Sequence, residues 1–87
     1  MFEIEFLPQA IQDLERLDKP VSRRILRRLQ WVAEKFDLLK PEPLSGPLAG
    51  LFKLRVGDYR VIYERNVGLK KLTIHLVGHR SAIYDRG

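Results

Sequence analysis

The 87-residue sequence has no cysteine and only one methionine and one tryptophan. None of its apolar runs approaches the roughly 18 residues needed to cross a bilayer. Without cysteine there is no disulfide framework and no thiolate metal site, and the usual argument for secretion disappears. The start, Met1-Phe2-Glu3-Ile4-Glu5, is acidic and alternating, unlike a signal peptide. The cytoplasm is therefore the expected compartment, with no membrane partner. Acidic residues are scarce in the second half. Gly50 to Gly87 holds eight Lys and Arg against three Asp and Glu, whereas residues 1–49 balance at eight each, so the later half carries the whole net charge of +5. A polyanion would meet the protein there. No G-x-G-x-x-G or P-loop pattern occurs, so no nucleotide cofactor is expected.

At this length a chain buries only about 60–65% of its unfolded surface, which limits it to one small core and makes residues 1–87 a single domain. Phe2, Ile4 and Phe6 alternate with Glu3 and Glu5 as a half-buried strand does. Pro8 ends that strand and suits the first turn of a helix carrying Ala10, Ile11, Leu14 and Leu17. After Pro20 the stripe Val21, Ile25, Leu29, Val32, Phe36 predicts a long amphipathic helix. Pro41 to Gly50 is loop chemistry. Strands follow at Leu51–Val56, Tyr59–Glu64 and Leu72–Val77, separated by turns at Gly57-Asp58 and Asn66-Val67-Gly68. Gly78 to Tyr84 begins as a loop with room for a short fifth strand.

The expected fold is α+β, a small antiparallel sheet in the order βααβββ with a helical hairpin on one face. Phe52, Leu54, Val56, Tyr59, Val61, Tyr63, Leu72, Ile74 and Leu76 would supply the covered face with Phe2, Ile4 and Phe6. The opposite parity carries Lys53, Arg55, Arg60, Ile62, Glu64, Lys71, Thr73 and His75. Alternation thus sorts basic side chains onto the face the hairpin leaves bare, and His79, Arg80 and Tyr84 follow at its end.

Such a face is either a solvated surface kept soluble by charge or a phosphate-binding surface. Guanidiniums, an ammonium, an imidazole and a phenol without a carboxylate cluster suit RNA cleavage without a metal. The ribose 2′-OH needs a proton acceptor, the phosphorane needs cations, and the leaving 5′-oxygen needs a proton. DNA lacks the 2′-OH and would not be cut. His75 and His79 are four apart, a spacing that invites zinc, but no third ligand lies nearby and no metal is expected. His79 is either an acid–base group or a hydrogen-bonded loop residue. Arg23, Arg24, Arg27 and Arg28 make a basic helix side, read as a solvated face first and a protein-partner surface second. Trp31 falls among them, off the core stripe.

The run Leu51-Phe52-Lys53-Leu54-Arg55-Val56-Gly57-Asp58-Tyr59-Arg60-Val61-Ile62-Tyr63, followed by Val77-Gly78-His79-Arg80 and Ile83-Tyr84, resembles the RelE/ParE superfamily of bacterial and archaeal toxins. The likeness runs the length of the chain and includes Leu44-Ser45-Gly46. Its RelE branch implies an mRNA interferase that enters the ribosomal A site, meets 16S rRNA there and cuts the message by 2′-OH attack without metal. It also implies a RelB-like cognate antitoxin and a toxin–antitoxin complex on operator DNA. By motif, Arg60 would bind the scissile phosphate and Arg80 would stabilise the transition state or assist the leaving group. Lys53 would share proton transfer or charge stabilisation, Tyr84 would stack on or orient the nucleotide, and Arg55 would contact phosphate; Lys71, on the same charged parity, is a further candidate RNA contact. Some RelE members have a further lysine where this chain has Leu51, which leaves Lys53 and His79 as candidate proton acceptors. The alternative within the superfamily is a ParE-like gyrase poison without nuclease chemistry.

Overall fold

The structure is a computed structural model that describes residues 1–35 and 40–86, the side chains of residues 84–86 excepted. The core-stripe position Phe36 lies outside the described residues. Strand β1 (Glu3–Phe6) leads into α1 (Pro8–Glu15) and α2 (Lys19–Lys35). A two-residue strand β2 (Glu42–Pro43) and a single 3-10 turn at Gly46–Leu48 precede β3 (Phe52–Val56), β4 (Tyr59–Asn66), β5 (Lys71–His79) and a terminal helix α3 (Arg80–Arg86).

The five strands form one sheet in the order β1-β5-β4-β3-β2. The pairs β2–β3, β3–β4 and β4–β5 are antiparallel, as their short connections require, whereas β1 pairs with β5 in parallel, so the sheet is mixed. The α1–α2 hairpin carries the chain from one sheet edge to the other, and such a long crossover permits a parallel pairing that a tight turn cannot. The fifth strand is β2, ahead of β3. The tail that had room for a strand is instead helical.

Pro8 opens α1, where its missing N–H is harmless. Ser22 Oγ in α2 donates to the Leu14 carbonyl near the end of α1 (2.8 Å) and so satisfies one of that helix's orphan acceptors. Ile25, Leu29, Val32 and Ala33 of α2 pack with Ala10 onto Val56, Val61, Tyr63, Leu72, Ile74 and Val77 of the sheet. Ile11, expected in this core, is 46% exposed. The helical position three beyond Ala10 is held by buried Asp13, whose Oδ2 accepts the Val77 amide at 2.9 Å.

A register shift between β4 and β5 reorders the faces. Ile62 pairs with Leu76 and Tyr63 with Ile74, so His75 is an extra residue and the parity of β5 inverts beyond it. Val77, not Leu76, therefore enters the helix-covered core. Leu76 stands with Ile62 on the other face.

Candidate functional site

The face opposite the α1–α2 hairpin is less bare than alternation suggests. Ile62 is 1% exposed although it belongs to the charged parity of β4. Ile83 of α3 is equally buried, and a Cβ on Gly78 would lie 3.4 Å from its Cγ1 and Cδ1. Helix α3 thus lies across β5 on this outer side, seated by Ile83 on Gly78. The cationic positions occupy the part of the face toward β3.

There Arg55 of β3 stands directly across from Arg60 of β4, and Lys53 across from Ile62. Cross-strand partners share a face, and like charges directly opposed are unfavourable. Two features offset that cost. Glu42 of β2 pairs with Lys53 in register, and its carboxylate lies 3.6 Å from both Lys53 Nζ and Arg55 Nε. The Arg60 guanidinium, on a residue only 8% exposed, donates from Nη1 to the carbonyls of Gly57 (2.9 Å) and Tyr59 (2.8 Å). Its Nε is buried without a partner among the described residues.

The Gly57-Asp58 turn organises a second cation. Gly57, at φ +60°, supplies the backbone conformation that a two-residue hairpin turn demands. The Asp58 carbonyl accepts the Arg80 amide at 2.8 Å. One turn therefore fixes the guanidinium of Arg60 through one carbonyl and the backbone of Arg80 through the next, and Arg80 is exposed at the start of α3.

Other expected site residues fall elsewhere. His79 has the parity of Val77 and pairs with Tyr59, whose ring it meets edge-on at 5.6 Å on the hairpin side of the sheet. Its Nδ1 lies 3.3 Å from the Ser81 amide and 2.9 Å from Ser81 Oγ. An amide N–H can only donate, so Nδ1 acts as acceptor and His79 caps α3. The structure does not bring His79 to Lys53 and Arg60. Lys71 pairs with Asn66, six residues along β4 from Arg60 or about 20 Å, and its ammonium meets Glu5 Oε2 at 3.0 Å. It stands at the far end of the sheet. The backbone of Tyr84 lies in α3, directly after Ile83, and its side chain lies outside the described residues. The zinc spacing also dissolves, because His75 turns to Glu64 (3.3 Å) while His79 turns to Tyr59. Among the described residues no three metal-ligating side chains converge, and no helix is long and apolar enough to cross a membrane.

Sequence reasoning missed Glu42, since a two-residue strand inside a proline-rich loop has no periodicity to reveal it. It also missed the cover that α3 places on this face, although Ile62 among charged neighbours was a readable sign of it.

Comparison with known proteins agrees with this architecture. Residues 4–84 match the model of the ParE toxin family of type II toxin–antitoxin systems. Two curated relatives from Mycobacterium tuberculosis are each 28% identical to the chain. Toxin RelG matches over 85 residues, 98% of either chain, and Toxin RelE over 83 residues, 95% of this chain and 86% of its own. Among solved structures, the RelBE2 toxin–antitoxin complex of M. tuberculosis superposes with a TM-score of 0.80 at 25% identity, covering 91% of this chain and 98% of that one. The isolated Escherichia coli RelE toxin superposes at 0.74 over 99% and 98%, and at 17% identity shows the shared fold. The α+β fold is that of toxins of type II toxin–antitoxin systems. The chain belongs to the RelE/ParE superfamily.

Proposed function

We propose that the chain is a ribosome-dependent endoribonuclease that cuts messenger RNA in the ribosomal A site against 16S rRNA, and that a cognate RelB-like antitoxin neutralises it, with the pair acting on operator DNA. The observation that carries this reading is the Gly57-Asp58 turn, which gathers Arg60 and Arg80 beside the opposed Arg55. A guanidinium held by backbone carbonyls, with the backbone of a second arginine tied to the same turn, suits a phosphodiester better than a merely solvated surface, whose charges need no fixed geometry. The curated relatives named RelG and RelE support the nuclease reading over a gyrase poison. The RelBE2 complex supports an antitoxin partner.

In the proposed reaction the 2′-OH attacks its own phosphorus, the bond to the 5′-oxygen breaks, and a 2′,3′-cyclic phosphate remains on the upstream fragment. Arg60 and Arg55 hold the phosphate, and Lys53 stabilises charge on the side of the attacking oxygen and passes its proton to solvent, which returns one to the departing 5′-oxygen. Arg80 neutralises the leaving oxygen, and Tyr84 stacks on a base, an interaction worth about 1–3 kcal/mol. His79 serves the arrangement by capping α3.

The test is primer extension on a translated message after induced expression. Cuts confined to translated frames are expected, and Arg80→Ala should lower cleavage by about 10²–10³-fold, the usual effect of deleting one transition-state donor, while leaving the fold intact. Growth arrest without any new message ends, or full cleavage by Arg80→Ala, would overturn the proposal. A supercoiling assay on the same protein reports the gyrase alternative.

A further inference from the structure

Helix α2 carries a second concentration of positive charge that the outer face does not use. Arg24, Arg27 and Arg28 are all exposed. With Arg55, Trp31 and Gly57 they line a cleft of about 490 Å³ between the helix and the β3 end of the sheet. No carboxylate lines the cleft, and among the described residues none of the three helix arginines enters an ion pair. Its surfaces are flat and cationic. The Arg28 guanidinium lies 4.3 Å from the centre of the Trp31 indole. Arg24 rests against the bare backbone of Gly57, where a Cβ would come within 2.5 Å of its Nη2.

We infer that this cleft is a second anchor for single-stranded RNA, in which the arginines take backbone phosphates and the open part of the Trp31 indole takes a base. Guanidiniums interleaved with an aromatic ring are the means by which proteins hold single strands without reading sequence. An acidic polypeptide is the other polyanion of suitable charge, but its apolar side chains would find only Val56 as an aliphatic surface in the lining. Arg55 links the anchor to the candidate cutting face. It lines the cleft, is exposed, and stands across from Arg60, so a strand held at Arg60 can pass over the β3 edge into the cleft. The inference rests on the RNA-binding part of the proposed function and adds a place where the strand is held away from the scissile bond.

Trp31 is the only tryptophan in the chain, so intrinsic fluorescence reports on the cleft alone. The probe is a short 2′-O-methyl RNA of mixed sequence, which cannot be cleaved because its 2′-oxygen is blocked. Saturable quenching is expected. The triple variant Arg24→Gln, Arg27→Gln, Arg28→Gln should bind at least about tenfold more weakly, with the slope of log K against log salt smaller by about 2, near 0.7 for each phosphate that is no longer neutralised. Anisotropy of the same RNA carrying a fluorescein label, a readout independent of Trp31, should show Trp31→Ala binding about 5- to 150-fold more weakly and Trp31→Phe largely restored. Circular dichroism checks that these exposed substitutions leave the fold intact. RNA that fails to bind, that binds without changing the fluorescence, or that binds the triple variant with wild-type affinity and slope overturns the inference. Quenching by polyglutamate and not by RNA overturns it in favour of an acidic protein partner. Cleavage is not needed for any of these readings, so a failed primer-extension test combined with saturable quenching would remove the nuclease proposal and leave the anchor standing.

Discussion

The Asp13 carboxylate in α1 accepts the backbone N–H of Val77 in β5 at 2.9 Å, joining residues 64 positions apart just beyond the register shift that inverts the strand. Its other oxygen accepts Gln9 Nε2 at the same distance. Asp13→Ala would leave a buried amide without an acceptor, at a cost of about 1–3 kcal/mol. That corresponds to a fall in Tm of about 4–8 °C per kcal/mol for a domain of this size, readable by calorimetry. Asp13→Asn keeps an oxygen for Val77 and should lose less. Equal stability of Asp13→Ala and the wild type would show that the bulge holds without this bond.

Gly57 combines a φ of +60° with a close approach to Arg24. Gly57→Ala should destabilise the chain by about 1–2 kcal/mol from the left-handed backbone alone, with a further displacement of the Arg24 guanidinium. Urea denaturation measures the first effect. An unchanged midpoint would mean that the turn relaxes freely.

Glu42 sits 3.6 Å from both Lys53 and Arg55, where a phosphate of the bound strand would compete with it. An exposed ion pair such as Glu42 with Arg55 contributes about 0.2–1 kcal/mol. Glu42→Gln should therefore tighten binding of 2′-O-methyl RNA by up to about fivefold, most visibly at low salt. Weaker binding by this variant would show that the carboxylate positions the cations rather than competing for them.

Two groups make the fold sensitive to alkali. Burial raises the Tyr63 phenol above its ordinary 10.0, with Arg65 opposing. The hydrogen bond to Glu5, then its charge, raises Lys71 above 10.5. Both groups hold their protons more tightly in the folded chain, so their contributions are complete below those ordinary values and are lost as pH rises through the folded ones. Thermal stability should be insensitive to these two groups near neutrality and decline above about pH 10. Tyr63→Phe should make that decline shallower. A decline of the same steepness in Tyr63→Phe would assign it to other groups.

His79 holds the Ser81 amide on Nδ1 and turns its ring toward Tyr59. His79→Asn retains an acceptor suited to capping and should keep both fold and cleavage, with the pH–rate curve unchanged near neutrality, while His79→Ala should fray α3 and lower both. Loss of the neutral limb of the curve in His79→Asn would return the proton-transfer role to His79.

The order of elements and both hairpins were legible because alternation in Phe52–Val56 and Tyr59–Tyr63 and the turn chemistry of Gly57-Asp58 are local signals. The opposition of Arg55 and Arg60 followed from that same register. What escaped depends on distant parts of the chain. His75 looks like any strand residue until the β4 register shows it to be extra, and the inversion of Leu76 and Val77 follows from that alone. Asp13 reads as a surface residue of α1 because the amide it satisfies lies in β5. The Arg80–Arg86 helix is short and carries few periodic positions, and among the described residues it is Ile83, meeting a strand glycine, that seats it on the outer face.

Strand β5 lies between β1 and β4 and hydrogen-bonds to both, yet it is synthesised after each of them. A nascent chain ending before Lys71 leaves β1 without a strand to pair with and β4 paired on its β3 side alone, and Asp13 has no Val77 amide to receive. Closure of the sheet therefore waits until β5 has left the translation machinery, and the Arg80 amide can reach the Asp58 carbonyl only after that.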